Sequence, residues 1–568
     1  MLRLLYLTTL VVCCFPLVPG LAGVVFTAIG FLPVLDLNQP GLSGWFSLWS
    51  WPGVSHSLAL TLTSGVIASF LALLLTFITL QAWWGSRGWQ RVEQLLSPLL
   101  AMPHVAFAIG FSLLFTPSGW FFRVIAAISG QDEPLGWSMI QDNAGIGLTL
   151  ALALKETPFL LLMSISVLHQ MKVDKMLAVS GSLGYSRGAG WLKVILPIWL
   201  RRMRFPVFAV LAYSLSVVDV AMILGPSSPP TFAVLVWQWF NDPDLSLLPR
   251  AAMGALVLFA LCLMVLMLYR LLEQFCIDRW QTWQFSGAKM FHIPGKQIFR
   301  LITVVSLSTM PILAIWSFAL RWSFPDLWPS RLSLRFWLQE VMQLWELASN
   351  SLILALISAT TAILLSVACL EYRDRYHRSL PRLVIATPML IPQLSILFGI
   401  QISIYMLPGA WHVPATIWAH VLFAFPYVYL ALDGPWQSYD GRLTQTAVSL
   451  GKSRWQAWWM VKFPLLLPAI LLAWAVGASV SLAQYLPTQL LGAGRIMTLT
   501  TEAVSLASGE DRRVSALYGL LQALLPFLFF AFSIAVSRFA DPFNQTRRLL
   551  SIKASLYDFV SKKPDYKH

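Results

Sequence analysis

Apolar runs long enough to cross a lipid bilayer recur along the whole chain, and they constrain its fold more than any motif does. Residues 5–32, 56–80, 96–115, 144–168, 205–224 and 251–272 form one set; 301–320, 351–370, 383–406, 415–432, 465–486 and 517–536 form a second. Each is close to or above the roughly 20 residues a helix needs to span the hydrocarbon core. In that medium backbone amides and carbonyls must satisfy one another, so runs of this length specify helices. The sequence therefore predicts an all-α polytopic membrane protein with about twelve transmembrane helices. Only 11% of the residues are charged, against roughly 25% in soluble domains. The run at 5–32 exceeds the roughly 7–15-residue core of a secretory signal, so it is expected to be an uncleaved first span. Segment 231–240 is too short to cross and is expected to be re-entrant or interfacial.

Basic residues set the orientation. With the N-terminus inside and the spans alternating, 29 Lys and Arg fall in inside segments and 8 outside, the latter being Arg123, Arg250, Arg321, Arg331, Arg335, Arg495, Arg512 and Arg513. That bias predicts cytoplasmic termini. It also accounts for the net charge of +14 without a nucleic-acid partner.

The two sets of spans carry a matching stretch. Residues 174–197 read DKMLAVSGSLGYSRGAGWLKVILP and residues 441–464 read GRLTQTAVSLGKSRWQAWWMVKFP. An offset of 267 aligns Gly184 with Gly451, Trp191 with Trp458, Val194 with Val461 and Pro197 with Pro464. Pro158-Phe159 and Pro426-Tyr427 precede the two stretches, and Gly225 and Gly492 follow them. Met102-Pro103 and Ile391-Pro392 are counterparts in earlier spans. A repeat on this scale marks architecture. The expected division is a first half at 1–272 (core 53–272), a cytoplasmic linker at 273–300, a second half at 301–540 (core 345–537) and a cytoplasmic tail at 541–568.

Within each loop the glycine allows a turn between two short helices, through conformations closed to other residues. Pro197 and Pro464 suit the first turn of the helix that follows. Trp455, Trp458 and Trp459 stand at i, i+3 and i+4, on one face of a helix.

This pattern resembles the EAA loop of bacterial ABC-importer permeases, the membrane subunits of binding-protein-dependent uptake systems. The family's Glu-Ala-Ala triplet is replaced here by Ala178-Val179-Ser180 and Gln445-Thr446-Ala447, so its glutamate is absent from both copies. The closing Leu-Pro is kept as Leu196-Pro197 and becomes Phe463-Pro464 in the second copy. The chain looks like a fused, two-half permease of a type I importer, similar to the ferric iron and thiamine uptake permeases. The resemblance implies an inner-membrane subunit that forms the solute path. It also implies two ABC ATPase subunits that bind ATP-Mg, and a periplasmic binding protein that delivers a small solute. Ala178, Gly184, Trp191, Pro197, Gln445, Gly451, Trp455, Trp458 and Pro464 are then the candidate ATPase-coupling positions.

No chemistry of the chain's own is expected. Gly451-Lys452-Ser453 imitates the end of a phosphate-binding loop, but that motif needs a glycine at position 446, which is Thr. The eight His lack metal-ligand spacing, and Cys13, Cys14, Cys262, Cys276 and Cys369 form no CxxC pair. We therefore expect no catalytic residue, no metal and no bound cofactor. A twelve-span secondary transporter would share the two-half plan but has no use for the repeated loops. A transferase acting on lipid-linked substrates would want an acidic constellation outside, and Asp132, Glu133, Glu340 and Glu346 suggest none.

Lys155, Glu156 and Asp219 are the ionisable groups well inside spans. Such groups are expensive in lipid and face a cavity or a partner. They are candidates for the translocation path, with Lys155–Asp219 as a conceivable structural pair. Their counterparts are Phe423, Ala424 and Leu486; nearby, the second half offers Gln484, Tyr485 and Gln489.

Overall fold

The computed structural model describes residues 2–540 apart from 33–36, 39, 135, 280–283, 285–293, 406, 408 and 510. The predicted tail at 541–568 and most of the linker lie outside the described residues. At the linker's edges the chain is helical: Leu248–Arg279 runs into it and Gly295–Phe318 leaves it. Two short antiparallel strand pairs, Phe31–Leu32 with Leu37–Asn38 and Ala319–Arg321 with Arg331–Leu332, are the described sheet structure. Each follows the leading span of its half.

Ten described helical stretches are long and apolar enough to cross a membrane. An eleventh, Val384–Leu390 with Gln393–Tyr405, is bent by 99°. The predicted span at 205–224 is broken: Arg204–Ser216 ends at Val217, and Asp219–Leu224 starts a new helix. The predicted span at 96–115 is broken at Met102-Pro103, and the qualifying stretch there is His104–Ser129. Proline explains two of the breaks. Its ring pushes the preceding residue out of the α region, and Met102 (ψ 124) and Ile391 (ψ 132) are both extended. The other two occur without a proline at the break itself, at Val217 (ψ 131) and Gln484 (ψ 121), 267 residues apart. Hydropathy does not register such a break, because both sides of it stay apolar.

Helix faces are arranged for lipid. On Val54–Trp83 the buried side includes Ser64, Gly65, Ala68, Ser69 and Ala72, while Ile67, Phe70 and Leu74 are exposed. Small residues let helices approach in a medium that gives apolar side chains no reason to hide. Phe232–Phe240, expected to be re-entrant or interfacial, is buried along almost its whole length.

The two halves are interlocked. The leading pair Leu2–Cys14 and Leu17–Ala28 packs on Arg335–Tyr376 and Gln393–Tyr405 of the second half, and the leading helix Gly295–Phe318 packs on Val54–Trp83 and His104–Phe115 of the first. Both crossings are tight at a glycine. A Cβ on Gly23 would stand 2.6 Å from the Gly399 carbonyl oxygen, and one on Gly110 would stand 2.8 Å from that of Thr309. Gly110 and Gly399 are 289 residues apart, as are Pro103 and Pro392. On the face away from the repeated loops, the buried Arg123 guanidinium donates to the carbonyls of Ser118 (2.9 Å), Ser323 (2.6 Å) and Asp326 (2.8 Å) and lies over Trp322. It ties the first half to the second half's hairpin.

Candidate functional site: the repeated loops and the crevice between the halves

The two loops follow the same backbone course. Val173–Ser182 and Gly441–Ser449 each end on a glycine with positive φ, +84° at Gly184 and +85° at Gly451. The Gly184 amide donates to Gly181 and the Tyr185 amide to Ser180; the Gly451 amide donates to Val448 and the Lys452 amide to Ala447. This is the Schellman closure, in which a left-handed residue lets the last carbonyls of a helix be satisfied. Ser186 and Ser453 then cap the next short helix, accepting from the amides of Ala189 (3.3 Å) and Gln456 (3.2 Å). One wide π-turn follows in each, Trp191–Ile195 and Trp458–Lys462. Pro197 and Pro464 stand in the first turn of the helices beyond, as the sequence suggested.

The loops differ in how they are held. Trp191 is fully buried, its ring 6.0 Å from that of Phe77. It is thus a packing residue of the first loop and presents no surface for a partner. The Trp199 ring lies 5.7 Å from Phe77, and its indole donates to Ser164. Trp84 donates to Asp174, and Arg187 donates to the Trp84 carbonyl. In the second loop the anchor is ionic. Lys462 Nζ lies 2.7 Å from Glu371 and 2.9 Å from Asp374, at the end of Arg335–Tyr376, and 4.5 Å over the Trp436 ring. The Trp458 indole donates to Glu371 and that of Trp436 to Asp374. Sequence reasoning missed Glu371, Asp374 and Trp436. The available signal was a carboxylate pair at i, i+3 closing a span.

What remains outward mixes apolar side chains with polar and charged ones, among them Lys175 and Arg187 in the first loop and Arg442, Lys452 and Arg454 in the second. Val179 and Leu183 in the first loop, and Val448, Leu450, Trp455, Trp459 and Met460 in the second, are exposed. Trp455 stacks on the half-buried Trp458 and meets Trp459 edge-on. Ala178 and Gln445, where the family has its triplet, are also exposed.

Deeper in the molecule, the four helix breaks gather the polar groups. Lys155 does not pair with Asp219. Its ammonium donates to the Leu99 carbonyl at 2.9 Å. Pro103, four residues on, has no amide to give that carbonyl, so Lys155 caps the end of Trp89–Ala101. Glu156 turns to the far side of the same break, where its carboxylate lies 3.1 Å from His104 Nε2. The His104 ring is 4.8 Å from Tyr213. Asp219 begins the short helix after the Val217–Val218 break, within electrostatic range of His104, Tyr213 and Tyr485. Tyr485 comes from the equivalent break of the second half, with its ring 5.8 Å from Trp237. Gln484 instead donates to the His420 carbonyl. His420 bridges Ser481 and Thr488 across that break. Gln489 is half-buried one turn along. His104, Tyr213, Tyr427 and His420 were not singled out from sequence.

The sequence is similar to that of a known protein over nearly its full length. The inner membrane ABC transporter permease protein YnjC of Escherichia coli K12 is 34% identical over 526 residues, covering 90% of this chain and 94% of that protein. The chain belongs to the inner membrane ABC transporter permeases. More distant likenesses agree. The thiamine transport system permease ThiP of Haemophilus influenzae is 23% identical over 332 residues, 53% of this chain and 57% of that one. The spermidine/putrescine transport system permease PotC of Escherichia coli K12 is 26% identical over 151 residues, 24% of this chain and 54% of that one. No protein-family model matches the chain. The permease is an all-α, multi-pass membrane protein and a transport subunit, not an enzyme. Membership sets aside the secondary-transporter and transferase readings.

Proposed function

We propose that this permease is the solute path of an ATP-driven uptake system. Two ATPase subunits, which bind the ATP-Mg, dock on residues 174–197 and 441–464, and a periplasmic binding protein delivers a small solute to the opposite face. The termini and both loops are cytoplasmic on this reading, as the basic-residue bias favours. The chain divides into halves at 1–272 and 301–540 that rock about the crevice between them. The observation that carries this is the repeated loop geometry: two copies with the same serine cap, positive-φ glycine and π-turn, each leaving large apolar side chains exposed among polar and charged ones. The relatives, named as permeases of transport systems, support the same assignment.

The test is co-purification from membranes with an ABC ATPase subunit of the same organism, followed by reconstitution. The complex is expected to hydrolyse ATP and the permease alone is not. Proton-driven uptake by the permease alone, with no ATPase bound, would overturn the reading.

A further inference from the structure

The hairpin of the second half, on the face away from the repeated loops, sets two like charges against each other. Its strands Ala319–Arg321 and Arg331–Leu332 run antiparallel, with Arg321 directly opposite Arg331. Both side chains are exposed, as is Arg335, which starts the helix Arg335–Tyr376 with no acidic residue in its first turn. Among the described residues, no carboxylate lies within ion-pair distance of any of the three. The one acid of the hairpin, Asp326, lies within electrostatic range of Arg123. A second observation is independent of the charges. The hairpin and the end of the span Gly295–Phe318 enclose an open groove of about 570 Å³, lined by Ile315, Phe318, Trp328, Leu332 and Leu334 among others. Arg331 and Arg335 are the chain neighbours of Leu332 and Leu334. Along the span, Leu301, Val304 and Pro311 are exposed and Ile315 and Phe318 part-exposed, a helical spacing that puts all five on one outward stripe. The groove therefore continues a surface that faces lipid.

Like charges directly opposite one another destabilise a strand pair, and the positive end of a helix dipole at Arg335 adds to the same field. An anion between the two guanidiniums removes the repulsion, and arginine binds phosphate oxygens through paired N–H donors. A soluble anion has no use for the apolar groove beside them, whereas a membrane lipid fills it. We propose that the groove holds one anionic phospholipid of the leaflet away from the repeated loops. An acyl chain lies against Ile315, Phe318 and Leu332, and Arg321 and Arg331 share the phosphate. A zwitterionic phospholipid carries its own compensating cation and fits the unpaired arginines less well. The same hairpin offers the carbonyls of Trp322, Ser323 and Asp326 to Arg123 of the first half. A lipid seated here therefore steadies the tie between the halves.

The test uses the full-length permease, delipidated in a neutral detergent and titrated with dioleoyl phosphatidylglycerol, dioleoyl phosphatidylcholine or glycerol 3-phosphate. Native mass spectrometry reads the lipid retained, and a melting curve reads the stability gained. Phosphatidylglycerol is expected to be retained in preference to phosphatidylcholine and to raise the thermal midpoint, and glycerol 3-phosphate to do neither. Arg331→Glu gives Arg321 a partner across the ladder. Its midpoint without lipid should be no lower than that of the unsubstituted permease, while its affinity for phosphatidylglycerol falls by about tenfold or more. Arg331→Gln, a milder change, should move affinity in the same direction, and Arg321→Lys with Arg331→Lys should keep the preference. Leu332→Asn leaves the charges in place and should weaken retention through the groove alone. Arg495→Gln, at an exposed arginine outside the hairpin, should change nothing. Equal retention of the two lipids, an equal midpoint gain from glycerol 3-phosphate, undiminished retention in both Arg331 variants, or an equal loss in Arg495→Gln overturns the proposal.

Discussion

The ammonium of Lys462 lies 2.7 Å from the carboxylate of Glu371, and the position 267 residues earlier is the buried, apolar Ile195. Two loops with one backbone geometry are therefore fastened by different contacts, a lysine–carboxylate network in the second and, in the first, the Trp191 ring against Phe77 with Arg187 on the Trp84 carbonyl. Lys462 is almost buried, but Glu371 and Asp374 retain 24% and 41% side-chain exposure. Its loss leaves carboxylates that water can still reach. The cost of Lys462→Met is thus placed below the roughly 3–5 kcal/mol of a fully buried pair, at about 1–2 kcal/mol after screening. The expected result is faster protease cleavage within 441–464, with cleavage within 174–197 unchanged. Equal acceleration in both loops would mean that the network stabilises the fold generally and does not hold one loop.

The loop glycines separate backbone strain from crowding. A Cβ at Gly184 or Gly451 would have no heavy atom within 4 Å, yet φ is +84° and +85°. A side chain there costs about 1–2 kcal/mol through the backbone alone. Gly184→Val and Gly451→Val should insert at normal abundance and reduce recovery of the ATPase. Gly451→Asn should be tolerated better, because asparagine visits the left-handed region more readily. Recovery of the ATPase per unit of permease measures this. Equal recovery by Val and Asn variants would remove the conformational argument.

The tryptophans of the two loops should behave oppositely. Trp191→Ala empties a fully buried site against Phe77, where truncation of a large aromatic typically costs about 3–5 kcal/mol. It should lower the thermal midpoint and abundance of the permease. Trp455 is 64% exposed, so Trp455→Ala should leave both unchanged and weaken ATPase recovery more than Gln445→Ala does. Detergent-solubilised melting curves and co-purification read the two effects separately. A Gln445→Ala defect larger than that of Trp455→Ala would return the contact to the degenerate triplet.

That contrast shows what the sequence could tell and where it stopped. The repeat placed Gly184, Gly451, Pro197 and Pro464 correctly, because a left-handed turn and a first-turn proline are local properties of the chain. The same alignment paired Trp191 with Trp458 and suggested equivalent surfaces. Burial depends on what packs from elsewhere, and Phe77 covers the first while Glu371 receives the indole of the second. The continuity of the spans was not legible for a similar reason. Residues 205–224 are mostly apolar, and neither Val217 nor Val218 carries a proline or glycine signal of the break. The reciprocal packing of each leading span on the opposite half is a long-range relationship that no local pattern encodes.

The sequence left Lys155 as a path residue or a partner of Asp219, and the structure gives it a different contact. Its ammonium caps the Leu99 carbonyl that Pro103 cannot serve. Lys155→Met would leave that carbonyl unsatisfied in apolar surroundings, a loss of about 1–3 kcal/mol. It should therefore lower the thermal midpoint of the permease. The helix end it stabilises leads directly to His104, the partner of Glu156, so some loosening of that pair is expected. A cap and a solute ligand differ in one measurable respect. If Lys155 serves the backbone, Lys155→Met lowers the thermal midpoint of the free permease with no solute present. A lysine that served only the solute would leave that midpoint unchanged, and an unchanged midpoint would remove the cap. The measurement is a melting curve of the detergent-solubilised Lys155→Met variant beside that of the unsubstituted permease.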